Sequence, residues 1–284
     1  MSRIGLVLSG GMMKGAYQAG VLKALLEYIK EDEFHMVSGA SIGAVNGYAA
    51  MCGNLDCTQN MWLQTTIEST YSFVGDLLRH NFVHPYLEEM VGHDKLKCRN
   101  FIIPVFNFTS KKLEYVNLTN QSQEDRLRYM QASVALPGYN DAIRIQNQSY
   151  YDGAMIDNIP ILPLQEEGLD YIICVYFDRS NYFFETKELD DKIIRINFNE
   201  ENGLRSSMMV SSENVGRMYQ EGYERTKHIC STLFQQGTDD VSFILEQNKK
   251  MQEHMESKKI RISGDVIVNN LNKVLKKLVA RKLV

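Results

Sequence analysis

The first feature of the sequence with an evident chemical use is a serine between two glycines. The stretch Gly39-Ala40-Ser41-Ile42-Gly43 fits the pattern G-x-S-x-G. In this pattern the serine stands at a tight strand-to-helix turn that exposes its hydroxyl, and small neighbours relieve the crowding. The amides of the following helix favour an anion beside the serine. The pattern predicts a nucleophile elbow at Gly39, Ser41 and Gly43, but it also fits a serine that only caps a helix.

A second glycine-rich turn spans residues 9–15. Gly10 and Gly15 have the spacing of a phosphate-binding P-loop, but Ala-Tyr follows where that motif requires Lys-Ser or Lys-Thr, and the dinucleotide pattern G-x-G-x-x-G fails as well. What remains is a run of backbone amides at the start of a helix, which binds oxyanions. If this turn lies beside Ser41, it forms an oxyanion hole.

A nucleophilic serine needs a base, and the best-placed candidate is Asp152. This aspartate follows a short predicted strand and precedes Gly153, so little covers its carboxylate. An ordinary Asp-Gly turn is the alternative interpretation. None of the six histidines lies in a glycine-rich turn. A Ser-Asp-His triad that uses His228 or His254 stays open beside the Ser41–Asp152 pair.

The elements that must position these residues follow β-α-β-α order at the start of the chain. Strands are predicted at 3–8 and 35–39, and helices at 16–29 and 42–51, which favours a parallel sheet covered by helices. Further strands are predicted at 101–109, 112–118, 142–145, 149–151, 169–177, 192–198 and 259–262, with a helix at 125–134. The pattern is mostly helical from residue 204 onward. We predict an α/β catalytic domain over 1–203 and a helical C-terminal segment over 204–284 that packs on it.

Composition excludes several classes of protein. The 284 residues carry a formal net charge of −4, which argues against a dedicated nucleic-acid binder. The five cysteines include no CxxC pair, so we expect free thiols and no metal site. No signal peptide and no membrane-spanning run is visible. The expected location is the cytoplasm, with peripheral contact to a membrane as an additional expectation. The sequence does not indicate an oligomeric state.

The ordered combination of motifs resembles the patatin-like phospholipase family. Gly-Gly-x-x-Lys-Gly follows the first strand, and G-x-S-x-G comes about 30 residues later. The segment 132–138 is similar to the family's A-S-x-A-x-P, and 152–160 is similar to its D-G-[GA] stretch that runs into D-N-x-P. The resemblance covers roughly residues 3–200.

This resemblance implies an α/β fold, a three-layer α/β/α sandwich with a mostly parallel central sheet. It implies a lipid acyl hydrolase that acts on phospholipid or lysophospholipid esters without a cofactor or metal. Ser41 would be the nucleophile, Asp152 the general base, and the amides of Gly10, Gly11 and Met12 the oxyanion hole. Lys14 matches the family's basic position, and we expect it to shape the loop or attract an anionic substrate.

One departure from the family pattern concerns Met12, which stands where the family usually has a third glycine. Its amide remains available, but a positive φ would be costly for methionine. A catalytically silent lipid-binding or regulatory protein is therefore the alternative from another class. A second open question is the basic amphipathic segment Val266–Leu283. Docking on the body of the protein is the favoured explanation for it, and contact with anionic lipid is the alternative.

Overall fold

A computed structural model describes residues 2–63, 83–93, 95–177, 181–184, 186–198, 212–253 and 259–262. Its strands are β1 (Ile4–Leu8), β2 (Phe34–Gly39), β3 (Asn100–Asn107), β4 (Lys112–Asn117), β5 (Ile143–Ile145), β6 (Gln148–Asp152), β7 (Tyr171–Tyr176), β8 (Asn181–Phe184), β9 (Ile193–Asn197) and β10 (Lys259–Ile262). Its helices are α1 (Gly15–Leu25), α2 (Ile42–Cys52), α3 (Leu55–Leu63), α4 (His84–His93), α5 (Gln123–Ala132), α6 (Lys187–Asp191), α7 (Ser212–Leu233) and α8 (Val241–Glu253).

The central sheet has the strand order β5-β6-β3-β2-β1-β7-β9, and β4 pairs with β3 in addition. The neighbours from β3 to β9 run parallel, whereas β4, β5 and β6 add antiparallel pairs. The strands β8 and β10 form a separate parallel pair, so a strand lies at the predicted 259–262. The predicted α/β class with a mostly parallel central sheet is confirmed.

Both faces of the sheet are buried, and β7 shows this most clearly. Tyr171, Ile173 and Val175 point into a large core that includes side chains of α1 and α2. The alternate residues Ile172 and Cys174 point into a smaller core on the other face. Because apolar cover on both sides removes the polar positions, the strand reads as a continuous hydrophobic run. This run predicted the strand without predicting its direction.

The register along β3 determines which strand ends meet. Ser38 of β2 pairs with Ile102, and Asp152 of β6 pairs with Val105. The strand β4 pairs with β3 at both of these positions and so occupies the other edge. The strands β2 and β6 therefore share one edge of β3 and run toward each other. Three residues of β3 span roughly 10 Å at ~3.3 Å each, and the turn after β2 falls into this interval.

The chain beyond residue 204 contacts the core through α7, which packs closely on α1. A Cβ at Gly20 would lie 2.0 Å from the Tyr219 carbonyl oxygen, and one at Gly222 would lie 2.1 Å from that of Tyr17. Glycine at both positions lets the two helix backbones touch. The division at residue 203 stays a prediction, and Val266–Leu283 lies outside the described residues. Within the described ranges, no helix combines the length and hydropathy that crossing a membrane requires.

Candidate active site

Ser41 lies at the tight turn between β2 and α2. Its backbone has φ 54° and ψ −126°, a conformation that costs a non-glycine residue energy and occurs at functional sites. The flanking glycines are required sterically. A Cβ at Gly39 would lie 2.8 Å from the backbone of Ala44, and one at Gly43 would lie 2.5 Å from the Leu8 carbonyl oxygen. The turn therefore has the shape of a nucleophile elbow, with the serine at its apex.

Asp152 ends β6 and meets Ser41 directly. The Ala154 amide donates a hydrogen bond to its Oδ1 at 2.8 Å, and the Ser41 hydroxyl is close enough to the carboxylate to lower the pKa of Asp152 as a hydrogen-bond donor. The residue is only 1% exposed. Burial raises the pKa of Asp152 to about 7, although the hydrogen bonds from Ser41 and Ala154 act in the opposite direction. A carboxylate with this pKa is a much better proton acceptor near neutral pH than an exposed one.

The glycine loop after β1 lies against the elbow. A Cβ at Gly10 would come within 3.1 Å of Ser41 Cβ. The Gly10 amide donates to the Asn158 carbonyl at 3.1 Å, and the Lys14 amide donates to the Gly11 carbonyl at 3.1 Å. No backbone acceptor engages the amides of Gly11 and Met12 within the described residues. These two N–H groups are therefore candidates for binding an oxyanion.

Met12 occupies the left-handed region, with φ 50°. Glycine accepts this region freely, whereas a side chain makes it costly by about 1–2 kcal/mol. The Met12 side chain is 44% exposed, so burial in the core offsets little of that cost. The loop thus keeps the backbone geometry that suits glycine although methionine stands there, and its amide is retained.

Asn158 belongs to the site, although the sequence analysis gave it no role. Its carbonyl accepts from the Gly10 amide, and its Nδ2 donates back to the Gly10 carbonyl at 3.2 Å. The preceding Asp157 is buried and accepts the Tyr115 hydroxyl at 2.5 Å, and burial raises the pKa of Asp157. The segment after Asp152 is therefore hydrogen-bonded to the glycine loop at residues 9–15, which we call the oxyanion loop. The Asp-Asn-Ile-Pro motif was its only sequence signal.

The remaining candidate residues are Lys14, His228 and His254. Lys14 precedes α1 as its N-cap residue, without a side-chain cap bond. His228 is exposed on α7, and His254 lies outside the described residues. Over the described part of the chain, the Asp152 carboxylate receives its hydrogen bonds from Ser41 and Ala154 and none from a histidine. The described part of the chain also contains no group of three or more His, Cys, Asp or Glu side chains that could hold a metal ion.

The sequence of this chain is similar to those of known proteins. The family model of patatin-like phospholipases matches residues 6–164, which is more than half of the chain. The chain belongs to the patatin-like phospholipase family. The resemblance predicted from the four motifs is thereby confirmed, and the match includes the elbow, the glycine loop and the aspartate.

Two relatives of this patatin-like chain carry informative names. Lysophospholipase NTE1 of Cryptococcus neoformans is 31% identical over 190 residues, which cover 61% of this chain and 11% of that protein. A putative patatin-like phospholipase domain-containing protein, M110.7 of Caenorhabditis elegans, is 26% identical over 192 residues, which cover 61% of this chain and 16% of that protein. The chain thus spans about a tenth of the length of the lysophospholipases that it matches.

Two solved structures resemble the patatin-like chain more distantly. VipD from Legionella pneumophila matches with a TM-score of 0.49 and 16% identity, over 82% of this chain and 67% of that one. ExoU from Pseudomonas aeruginosa, in its complex with SpcU, matches with a TM-score of 0.42 and 13% identity, over 89% of this chain and 60% of that one.

Proposed function

We propose that this patatin-like chain is a serine lipid acyl hydrolase that cleaves carboxylic esters of phospholipids or lysophospholipids. The observation that carries the proposal is the proximity of the Ser41 hydroxyl to the buried Asp152 carboxylate, beside a loop whose Gly11 and Met12 amides have no backbone acceptor among the described residues. A nucleophile, a base of suitable pKa and an oxyanion site are the three parts that acyl transfer needs.

In the proposed mechanism Asp152 accepts the hydroxyl proton while Ser41 Oγ forms a bond to the ester carbonyl carbon. The carbonyl electrons move to the oxygen, and the amides of Gly11 and Met12 bind the resulting oxyanion. Collapse breaks the ester C–O bond, and the alcohol leaves with the proton from Asp152. Water then attacks acyl-Ser41, with Asp152 as general base again, and releases the fatty acid.

The proximity of Ser41 to the Asp152 carboxylate supports a dyad rather than a triad. In a Ser-Asp-His triad the imidazole lies between the hydroxyl and the carboxylate, and the serine has no bond to the acid. Here the carboxylate takes the position of the imidazole, and burial supplies the raised pKa that an aspartate otherwise lacks.

Lysophospholipids are the substrates that we propose to test first, because relatives of this chain are named lysophospholipases. Peripheral contact with a membrane, a fatty-acyl ester as the bound partner and a cytoplasmic location remain predictions. The positive φ of Met12 is the observation that favours the second candidate, a silent lipid-binding protein, since its cost for methionine would favour a loop that leaves this conformation and so lowers catalysis without removing the lipid site.

Labelling with a fluorophosphonate probe and hydrolysis of lysophosphatidylcholine test the proposal together. We expect the wild-type chain to be labelled and to release fatty acid, and Ser41→Ala to do neither. Asp152→Asn should keep its fold but lose at least about 100-fold in kcat, because the base is removed. His228→Ala is the matched control and should keep its activity. A folded but inactive His228→Ala would favour the triad, and a wild type that binds lipid without labelling would favour the silent protein.

A further inference from the structure

A buried chain of polar side chains connects the helix that carries the nucleophile to the oxyanion loop. Its members are Gln18 of α1, Asn46 of α2 and Trp62 of α3, all of them buried among apolar residues. Trp62 Nε1 donates to Asn46 Oδ1 at 3.1 Å, and Asn46 Nδ2 donates to Gln18 Oε1 at 3.1 Å. Gln18 Nε2 then donates to the Ser9 carbonyl at 3.2 Å. The chain thus ends on the residue that precedes Gly10.

The Asn46 amide holds a second point on the same loop. Its Nδ2 also donates to the Gly15 carbonyl at 2.9 Å, at the first residue of α1. The loop that carries the Gly11 and Met12 amides is therefore held before and after by polar groups attached to α1 and α2. Asn46 follows Ser41 on α2, so one rigid helix sets the positions of both the nucleophile and this anchor.

The peptide group between Ser9 and Gly10 is held at both of its ends. Its carbonyl accepts from Gln18, and its N–H donates to the Asn158 carbonyl at 3.1 Å. A peptide unit with both polar atoms bound cannot rotate without breaking a buried hydrogen bond, which costs about 1–3 kcal/mol. The next peptide group, which carries the Gly11 N–H, is held through the Gly10 carbonyl, which accepts from Asn158 Nδ2 at 3.2 Å.

We infer that Gln18 and Asn46 are positioning residues, which hold the Gly11 and Met12 amides in register with Ser41. This inference rests on the proposed function. Neither side chain touches the reacting atoms. A buried polar network gains little net stability over apolar packing, but it fixes one geometry because every member requires its partner. The loop needs such fixing, since a displacement of about 1 Å at a catalytic group costs about 100-fold in rate.

Replacing Gln18 by methionine tests the inference. Gln18→Met keeps the length of the side chain but removes the donor to Ser9 and the acceptor for Asn46. The matched control is Asn248→Leu. Asn248, on α8, is another buried amide side chain, and it donates to the Ile193 carbonyl at 3.0 Å. We expect kcat for lysophosphatidylcholine to fall at least about 10-fold in Gln18→Met, with KM changed less than about threefold, at a temperature where both variants are folded.

Gln18→Glu provides the conservative rescue. A buried glutamic acid stays neutral because burial raises its pKa, and its O–H group can donate to Ser9 while its carbonyl accepts from Asn46. With kcat expressed relative to wild type at the same pH, most of the loss should be recovered in this variant at low pH, and the recovery should disappear as the pH rises and the side chain ionises. A merely structural role would not produce this pH profile.

Amide hydrogen exchange separates the inference from the proposed function, because it requires no catalysis. Exchange over residues 8–16 should be at least about 10-fold faster in Gln18→Met and unchanged in Asn248→Leu. This result supports the inference even if wild type hydrolyses no ester, which would overturn the proposed function alone. The inference is overturned if loop exchange in Gln18→Met equals wild type, or if its kcat falls no further than that of Asn248→Leu. A Gln18→Met that does not fold shifts the same comparison to Gln18→Glu, measured above and below the pH of its ionisation.

Discussion

Ser41 and Asp152 meet because their strands run toward each other along one edge of β3. The strand β2 pairs with β3 in parallel and approaches from one end of this edge, whereas β6 pairs with β3 antiparallel and approaches from the other end. The hydroxyl and the carboxylate therefore lie at opposing strand ends, where a short gap in the sheet leaves room for both. Asp152 is buried by this arrangement, and its burial raises its pKa as the proposed role of a general base requires.

The first prediction concerns the dependence of activity on pH. Since burial raises the pKa of Asp152 to about 7 and the ionised form is the base, kcat/KM should rise with pH and level off above that value. A rate profile between about pH 5 and 9 with a water-soluble ester, which avoids changes in lipid packing, measures it. The same profile for His228→Ala should coincide with wild type. A wild-type profile that is flat across this range would contradict the role of Asp152.

The second prediction concerns stability, and it uses the same carboxyl. The pKa of Asp152 is higher in the folded chain than its ordinary value of 3.8, so its protonated form favours folding and its ionised form opposes it. This contribution is fully present below about pH 4 and is lost as the pH rises through about 7. The side chain in Asp152→Asn does not ionise. As the pH rises from about 4 to above 7, the free energy of unfolding of this variant should therefore increase relative to that of wild type, by up to about 4 kcal/mol.

Urea unfolding of both proteins at several pH values measures the difference, because the other titrating groups cancel between them. Asp170→Asn offers a comparison, since Asp170 lies outside the site and its carboxylate accepts from the Arg3 amide near the surface. This variant controls for the loss of a carboxylate outside the site. A constant difference for Asp152→Asn would show that the aspartate is not buried in solution.

The sequence predicted the local elements of this site better than their assembly. Hydrophobic runs and glycine turns located the strands around Ser41, because burial on both faces and tight turns leave direct marks in residue type. The meeting of β2 and β6 on one edge of β3 left no such mark, since register depends on contacts between distant segments. The raised pKa of Asp152 was out of reach for the same reason.

The polar supports of the oxyanion loop were also invisible in the sequence. Gln18 and Asn46 occur in helical stretches, where a polar residue usually faces water. Only the structure shows that both side chains turn inward, toward carbonyls left by the loop. Asn158 had a motif to mark it, but the motif did not say which backbone it would hold.

The third prediction concerns the backbone at Met12. At φ 50°, glycine should be preferred to alanine, so the free energy of unfolding should be about 1 kcal/mol higher for Met12→Gly than for Met12→Ala. Comparing these two variants removes the effect of the methionine side chain. The exposed Lys23, inside α1, should show the reverse order, with its alanine variant more stable by about 1 kcal/mol. Chemical unfolding of the four proteins measures both pairs, and the same order at both sites would mean that Met12 does not adopt a positive φ.

The fourth prediction concerns Gly11, which carries one of the two available amides. A Cβ added to Gly11 would lie 2.1 Å from the Phe177 ring. That ring packs edge-on against Tyr17, with ring centroids 6.4 Å apart, and cannot move freely. Gly11→Ala should therefore cost about 1–3 kcal/mol through overpacking and lower kcat by shifting the loop. Gly216, inside α7, has open space at its Cβ, so Gly216→Ala should instead stabilise by about 1 kcal/mol.

A double-mutant cycle identifies the cause of the Gly11→Ala defect. If the clash with Phe177 is responsible, Phe177→Ala should remove it, and the double variant should be more stable than the sum of the two single changes predicts. The recovery in kcat should follow the recovery in stability, because both depend on the loop returning to its place against Ser41. Strict additivity in the cycle would contradict the close approach of the Phe177 ring to Gly11, and another neighbour would then have to explain the defect.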